Sequence, residues 1–331
     1  MQLRTMHRRA GAAAALAVIT AGLVGMLGGA GTAVAQPTTP LVGTFHLTPG
    51  AYSAGPSGSY FRMLDPGGTL NGSDANYVTN ASSSASDQTY TLLSPGAQGG
   101  LVTGSYQPAP TPAFDGSGNS LADKIISPTG FFGVNFSAET ETPDTQTALA
   151  VPAPSISTDG SGNLSGNLEA FGASWNNQVF NQGSPKPDGS SPGLTAGPTG
   201  TYNSSTGAFT FTWTSEIVGG PFNGFTGQWV FAGTFVAGPF QITTTSLPPA
   251  TRGVSYSAQL EAANGAAPYK WKKIGKLPKG LKSSSSGLLS GTPKTKHVNA
   301  GTYTFTAQAT THKSKGHPKQ TATQSLTLTL S

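Results

Sequence analysis

The chain has no cysteine. That excludes structural disulfides, thiolate metal sites and a lipid-modified cysteine anchor together. Charge is scarce as well, since Asp, Glu, Lys and Arg make up only 9% of the 331 residues. Histidine is nearly missing from the larger part of the chain: between positions 36 and 240 the only one is His46. A serine nucleophile therefore has no evident base. Helix-forming Glu, Lys and Leu are sparse, while 45 Gly and 25 Pro punctuate the sequence. Such a composition suits disorder or a β fold with many turns, and recurrent alternating runs of aromatic and β-branched residues decide for the β fold.

What is present begins with a leader. A basic head containing Arg4, Arg8 and Arg9 precedes an uncharged Ala/Gly/Leu/Val stretch that ends in Ala33-Val34-Ala35. This is the pattern of a secretory signal peptide, residues 1–35, with cleavage expected after Ala35. Retention of the apolar stretch as an anchor is the alternative. No second apolar span follows, so the expected location is secreted or extracellular, in association with the cell wall or surface.

The remaining charge is divided unevenly. Residues 36–240 carry 3 basic side chains (Arg62, Lys124, Lys186) against 12 acidic ones, a balance of −9; from 241 onward 12 basic residues face Glu261 alone, a balance of +11. The shift predicts two all-β domains, an acidic one at 36–239 and a basic one at 240–331.

In the basic part, period-two alternation places Val254, Tyr256, Ala258 and Leu260 on one face, then Tyr303, Phe305, Ala307 and Ala309, then Leu326, Leu328 and Leu330. Turn signals separate these runs, among them Asn264-Gly265, Leu277-Pro278-Lys279-Gly280 and Gly291-Thr292-Pro293. Several short strands, each with one apolar face, predict a two-sheet sandwich. The segments "ITTTSLPPATRGVSYSAQLEAANGAAPYKWKKIGKLPKGL", "SSGLLSGTP" and "AGTYTFTAQAT" resemble the Ig-like domain family of bacterial surface and secreted proteins, a cadherin-like or dystroglycan-type β-sandwich. The resemblance implies a stalk or spacer module, in some members linked with calcium and adhesion. Calcium requires six to eight oxygen ligands with several carboxylates among them, and this module offers only Glu261, so no cofactor is expected.

The stretch "YKWKKIGKLPKGLK" places six lysines in fourteen residues. Tyr269 and Trp271 alternate with Lys270 and Lys272, which predicts aromatics inside and lysines outside. Lys273, Lys276, Lys279 and Lys282 follow in or beside a turn, and Lys313 and Lys315 belong to a second basic run, "HKSKGHPK". These lysines are either a solvated surface or a face for an anionic cell-wall polymer. Nucleic acid is not an expected partner, because export removes it and no outward aromatics interleave with the lysines.

In the acidic part, a large sandwich or barrel is expected. Phe209, Phe211 and Trp213 form one aromatic face; Trp229, Phe231 and Phe235 form another, on a strand apolar on both sides and so expected to be central. "ISTDGSGNLSGNL" predicts a hairpin turning at Asp159-Gly160, and "SYFRMLD", "TYTLL" and "FFGVNFS" are further strand candidates. "AFGASWNNQVFNQGS" and the run from Gly200 through Phe235 resemble exported bacterial all-β proteins of unknown function, which implies surface location and fold but no chemistry.

Three patterns in the sequence bear on chemistry. The two "DGSGN" loops fail the twelve-residue calcium pattern, having Ser120 and Ile126, or Leu164 and Ala170, where Gly and Glu are required. They read as turns, and the one remaining metal candidate is a surface group of Asp115, Asn119 and Asp123. Sugar hydrolysis needs two opposed carboxyl groups; Glu139, Glu141, Glu169 and Glu216 are available, but no motif pairs them, and Glu139 and Glu141 sit in what reads as an exposed loop. Sugar binding would use Trp175 with Asn177 and the adjoining amides of "SWNNQVFNQG", against the alternative that Trp175 is core, sharing a face with Phe171 and Ala173. The expectation is a non-enzymatic adhesion or binding protein acting on envelope polymer or matrix, with the Ig-like module as spacer or electrostatic anchor. A carbohydrate-binding or carbohydrate-cleaving protein and a structural coat protein are the alternatives.

Overall fold

The computed structural model describes residues 38–70, 74–265, 268–296, 298–312 and 319–331. The expected leader, and Lys313 and Lys315, lie outside the described residues. Among those described there is no α-helix, only strands and one short 3-10 turn at Asp74–Asn76, and no helix is long and apolar enough to cross a membrane. Residues 37–331 cluster as one compact unit.

The aromatic runs in the first two thirds of the chain become neighbours in one antiparallel sheet. Ala208–Glu216 pairs with Thr226–Ala237 in a register that sets Phe211 opposite Phe231 and Trp213 opposite Trp229. Side chains directly opposite one another lie close enough to pack, and the two indoles stack with centroids 5.7 Å apart and planes 8° from parallel. Thr226–Ala237 is central, as its two apolar faces predicted: on its other edge it pairs first with Tyr60–Leu64 and then with Gly43–Leu47. The sheet extends on the far side of Ala208–Glu216 through Ala196–Tyr202, Asn163–Asn167 and Ser155–Thr158. The Asp159 hairpin forms where it was expected.

A second sheet, in the order Gln178–Asn181, Phe171–Trp175, Val134–Thr140, Thr129–Phe131, lies across the same core. Phe171 meets Trp213 and Trp229 edge-on, at 5.0 and 5.1 Å between centroids. This second sheet departs from the sequence reading in one respect. "FFGVNFS" is not a single strand; the chain turns at Phe132-Gly133, so Thr129–Phe131 pairs back on Val134–Thr140. "TYTLL" contributes only the two-residue strand Thr91–Leu92.

Arg62 takes an unusual place. The residue is 7% exposed, its guanidinium lying 3.4 Å from the Tyr77 ring centroid and 4.0 Å from that of Tyr90. It pairs with Asp74 and donates to Thr89 Oγ1 at 2.8 Å. A cation sandwiched by rings retains part of the stabilisation it loses on leaving water.

The last quarter of the chain has its own hydrophobic cluster, built on Trp271, Phe305, Leu289, Leu326, Leu328 and Leu330. It lies between two three-stranded sheets, Tyr256–Gln259 with Leu288–Gly291 and Leu281–Ser283, and Lys270–Gly275 with Gly301–Thr310 and Thr321–Leu330. Trp271 and Tyr256 are inside, as their alternation required. Val254 is not: it is 55% exposed, because the strand starts only at Tyr256.

Candidate functional sites

The lysine-rich stretch is sorted by its strand. In Lys270–Gly275, Lys270 and Lys272 face outward, directly across from Thr310 and Gln308, while Lys273 turns toward the Trp271 side and spends its ammonium on the Gly275 carbonyl at 2.6 Å. Next along the sheet, Thr310 faces Thr321 and Gln308 faces Thr323, so hydroxyls and amides continue the outer surface. His312 and Lys319 close the end of this face. An open groove of about 510 Å³ results, lined by Lys270, Lys272, Gln308, Thr310, His312 and Lys319.

Lys276, Lys279 and Lys282 do not join that groove. Lys282 belongs to the opposite sheet, across from Ser290. Lys279 accepts the Lys294 N–H on its carbonyl at 2.9 Å, which brings together two exposed lysines that the sequence reading did not connect. One linear cluster therefore becomes two basic areas on different sheets.

The second feature lies at one end of the other core. Because Val134–Thr140 runs antiparallel to Phe171–Trp175, the turn at Phe132-Gly133 and the turn at Asn176-Asn177 come to the same end of their sheet. Trp175 is half-buried, its indole N–H fixed on the Phe131 carbonyl at 2.7 Å and its ring 5.2 Å from Phe222. Asn177 is exposed, and with Asn176 it occupies the two tight positions of a hairpin at φ +62° and +48°. Asn tolerates that left-handed backbone better than most residues, which accounts for two of the amides on local grounds. Asn181 and Gln182, from the same sequence cluster, are buried instead: the Asn181 carboxamide donates to Asp144 and to the Glu169 carbonyl, and Gln182 accepts from Trp229.

The third feature corrects an expectation. Glu139 is not in an exposed loop, and Glu141, just past the end of the same strand, is half-buried. Glu139 is 1% exposed within Val134–Thr140; the segment around Gln107 pairs with the adjoining Thr140 and brings the Ala109 N–H to the Glu139 carboxyl. Burial, then the neighbouring charge of Glu141, lift its carboxyl to about 7, against a hydrogen bond from the Ala109 N–H, and Oε2 has no hydrogen-bond partner. Burial and Asp144 also raise Glu141. Nearby, Lys186 is 6% exposed and donates to the Asn181 carbonyl at 2.8 Å and to Ser215 Oγ at 2.7 Å. Its burial depresses the ammonium to about 8, partly offset by Asp144, Glu216 and Asp188. Glu169 is engaged by Asn167.

Asp115 is self-contained. Its carboxylate accepts from Ser117 N–H and from both the backbone and the side chain of Asn119, and these bonds hold its pKa below the ordinary value. Asp159 repeats the arrangement with Asn163. Among the described residues no three His, Asp or Glu side chains gather as a metal-holding group.

Comparison with known proteins assigns the C-terminal part. Residues 238–331 match the model of the family described as Putative Ig domain, and that part of the chain is an Ig-like β-sandwich of this family. No curated protein matches the chain. Among solved structures, a SusE-like surface located polysaccharide binding protein from the Bacteroides thetaiotaomicron heparin utilisation locus is similar at 12% identity, over 89% of this chain and 54% of its own, with a TM-score of 0.17. The present chain thus spans about half of that protein's length, and at this score the likeness carries no argument.

Proposed function

We propose that this is a non-catalytic, cell-surface binding protein, held on anionic envelope polymer by the outer face of its Ig-like module. The observation that carries the reading is the groove in which Lys270, Lys272 and Lys319 surround Gln308 and Thr310. Three ammonium groups with hydroxyl and amide neighbours suit a phosphate- or carboxylate-bearing glycan, where charge provides attraction and neutral donors bind sugar oxygens. With Trp271 turned inward, the face presents no ring on which a nucleic-acid base could stack. A binding role also accords with the sealed positions of Glu139 and Lys186, the groups whose protonation burial perturbs most, since no substrate bond reaches them. The acidic first part of the chain would then make any more specific contact.

The test is sedimentation of the mature chain with washed bacterial envelopes at ionic strengths of about 0.01 M and about 1 M, between which the screening length falls from ~30 to ~3 Å. Retention should be lost at the higher salt and in the double variant K270E/K272E. Retention that ignores both changes would overturn the reading, and ordered self-assembly without polymer would favour a coat protein.

A further inference from the structure

Phe132 stands where a tight two-residue hairpin has little tolerance for it. Phe131 pairs with Val134, leaving Phe132 and Gly133 at the turn with φ +48° and +85°. Turns of this kind favour Asn, Asp and Gly; a bulky aromatic with positive φ is a strained outlier, and such outliers concentrate at functional sites. The adjacent hairpin, with Asn176 and Asn177 at the same two positions, is the low-strain solution. Nor does burial compensate, because Phe132 remains 43% exposed.

The exposed ring is nevertheless held. It lies edge-on to Phe131 at 4.9 Å and against Phe222 at 5.4 Å, and Phe222 in turn packs on Trp175. The turn itself is tied to the 80–82 segment, where Asn80 Oδ1 and Ser82 Oγ accept from the Phe132 and Gly133 N–H groups at 3.4 Å. Three hairpin ends thus hold Phe132, Trp175 and Phe222 as one aromatic surface. Its surroundings are hydrogen-bonding. Asn176, Asn177 and Gln178 are exposed at the next turn, and Asn119 accepts the Asn135 N–H at 2.8 Å. Gly118, where any side chain would crowd Asn176 and Asn177, lets the turn carrying Asn119 lie against theirs.

Beneath the rings lies a cavity of only about 40 Å³, lined almost wholly by apolar side chains. An engineered apolar site that admits benzene is ~150 Å³. A ring-sized or acyl ligand therefore does not enter the core, and whatever binds must lie on the rings. An apolar platform edged by amides fits a molecule with one C–H face and uncharged hydroxyls around its rim. We propose that Phe132, Phe222 and Trp175 form a stacking site for a neutral pyranose unit of a polysaccharide, with Asn177 and the adjoining amides placed to meet its hydroxyls. This site lies apart from the lysine groove and does not depend on it.

The test uses the full mature chain in affinity gel electrophoresis against a panel of soluble neutral polysaccharides, a β-glucan, an α-mannan and a galactan, with an anionic glycan as control. Retardation by at least one neutral polysaccharide is expected, insensitive to salt and unchanged in K270E/K272E. The F132N variant removes the ring and suits the backbone, so it should melt at the same or a higher temperature while binding at least roughly tenfold more weakly. F132W should keep binding. No retardation by any neutral member, wild-type affinity in F132N, or retardation by the anionic glycan alone would each overturn the proposal. Loss of salt-sensitive envelope retention with neutral binding intact would instead count against the basic groove.

Discussion

Stability of the first core should pass through a minimum near neutral pH, and two buried groups set it. The Glu139 carboxyl is raised from 4.5 to about 7. In the folded chain it keeps its proton over a range in which the unfolded chain has released it. The native state therefore binds more protons between these values, and stability that is fully present below 4.5 is lost as pH rises through about 7. About two and a half units at 1.36 kcal/mol each is ~3 kcal/mol, and Glu141, also raised, adds in the same direction. Lys186 acts at the other end. Its ammonium is depressed from 10.5 to about 8, so its contribution is present above 10.5 and lost as pH falls through about 8, again ~3 kcal/mol by the same conversion.

Between about 7 and 8 both costs apply together. The assay is urea unfolding of the chain from pH 5 to pH 10, followed by tryptophan fluorescence, to which the Trp213 and Trp229 pair stacked in this core contributes. With no cysteine in the chain, thiol chemistry cannot distort the alkaline limb. E139Q should flatten the acidic limb and be more stable than wild type at pH 8; K186M should flatten the alkaline one. An unchanged slope between pH 5 and 7 in E139Q would refute the assignment of that limb to a buried carboxyl.

Two other perturbations follow from packing. Replacing Arg62 with Met removes the cation between Tyr77 and Tyr90 and leaves Asp74 without its partner, for an expected loss of about 2–4 kcal/mol in urea titration; R62K should recover little, since an ammonium cannot stack as a plane. Gly200 lies in Ala196–Tyr202 opposite Phe211, where an added Cβ would overlap the Thr210 carbonyl oxygen, so G200A should cost roughly 1–3 kcal/mol or more by the same measurement.

Local pattern carried much of this protein. Alternation is a property of neighbouring residues, so Phe209, Phe211 and Trp213, or Tyr303, Phe305 and Ala307, announce a strand and its buried face without reference to the rest of the chain. Composition likewise told of two differently charged parts, and the Ig-like module was legible from its own motifs. Three outcomes depended on residues distant in sequence. Glu139 is as polar as any surface residue, and only its burial in the folded chain, beside Glu141 and the Ala109 N–H, removes it from water and shifts its proton. Which lysines share a groove was decided by strand register, which joins Lys270 and Lys272 to Lys319 and separates them from Lys282. Phe132 could not be read as a turn residue, because its left-handed backbone is imposed by the pairing of Phe131 with Val134 and by the rings packed around it. Sequence fixes what each residue prefers, whereas a fold can hold a residue against its preference when enough neighbours act on it together.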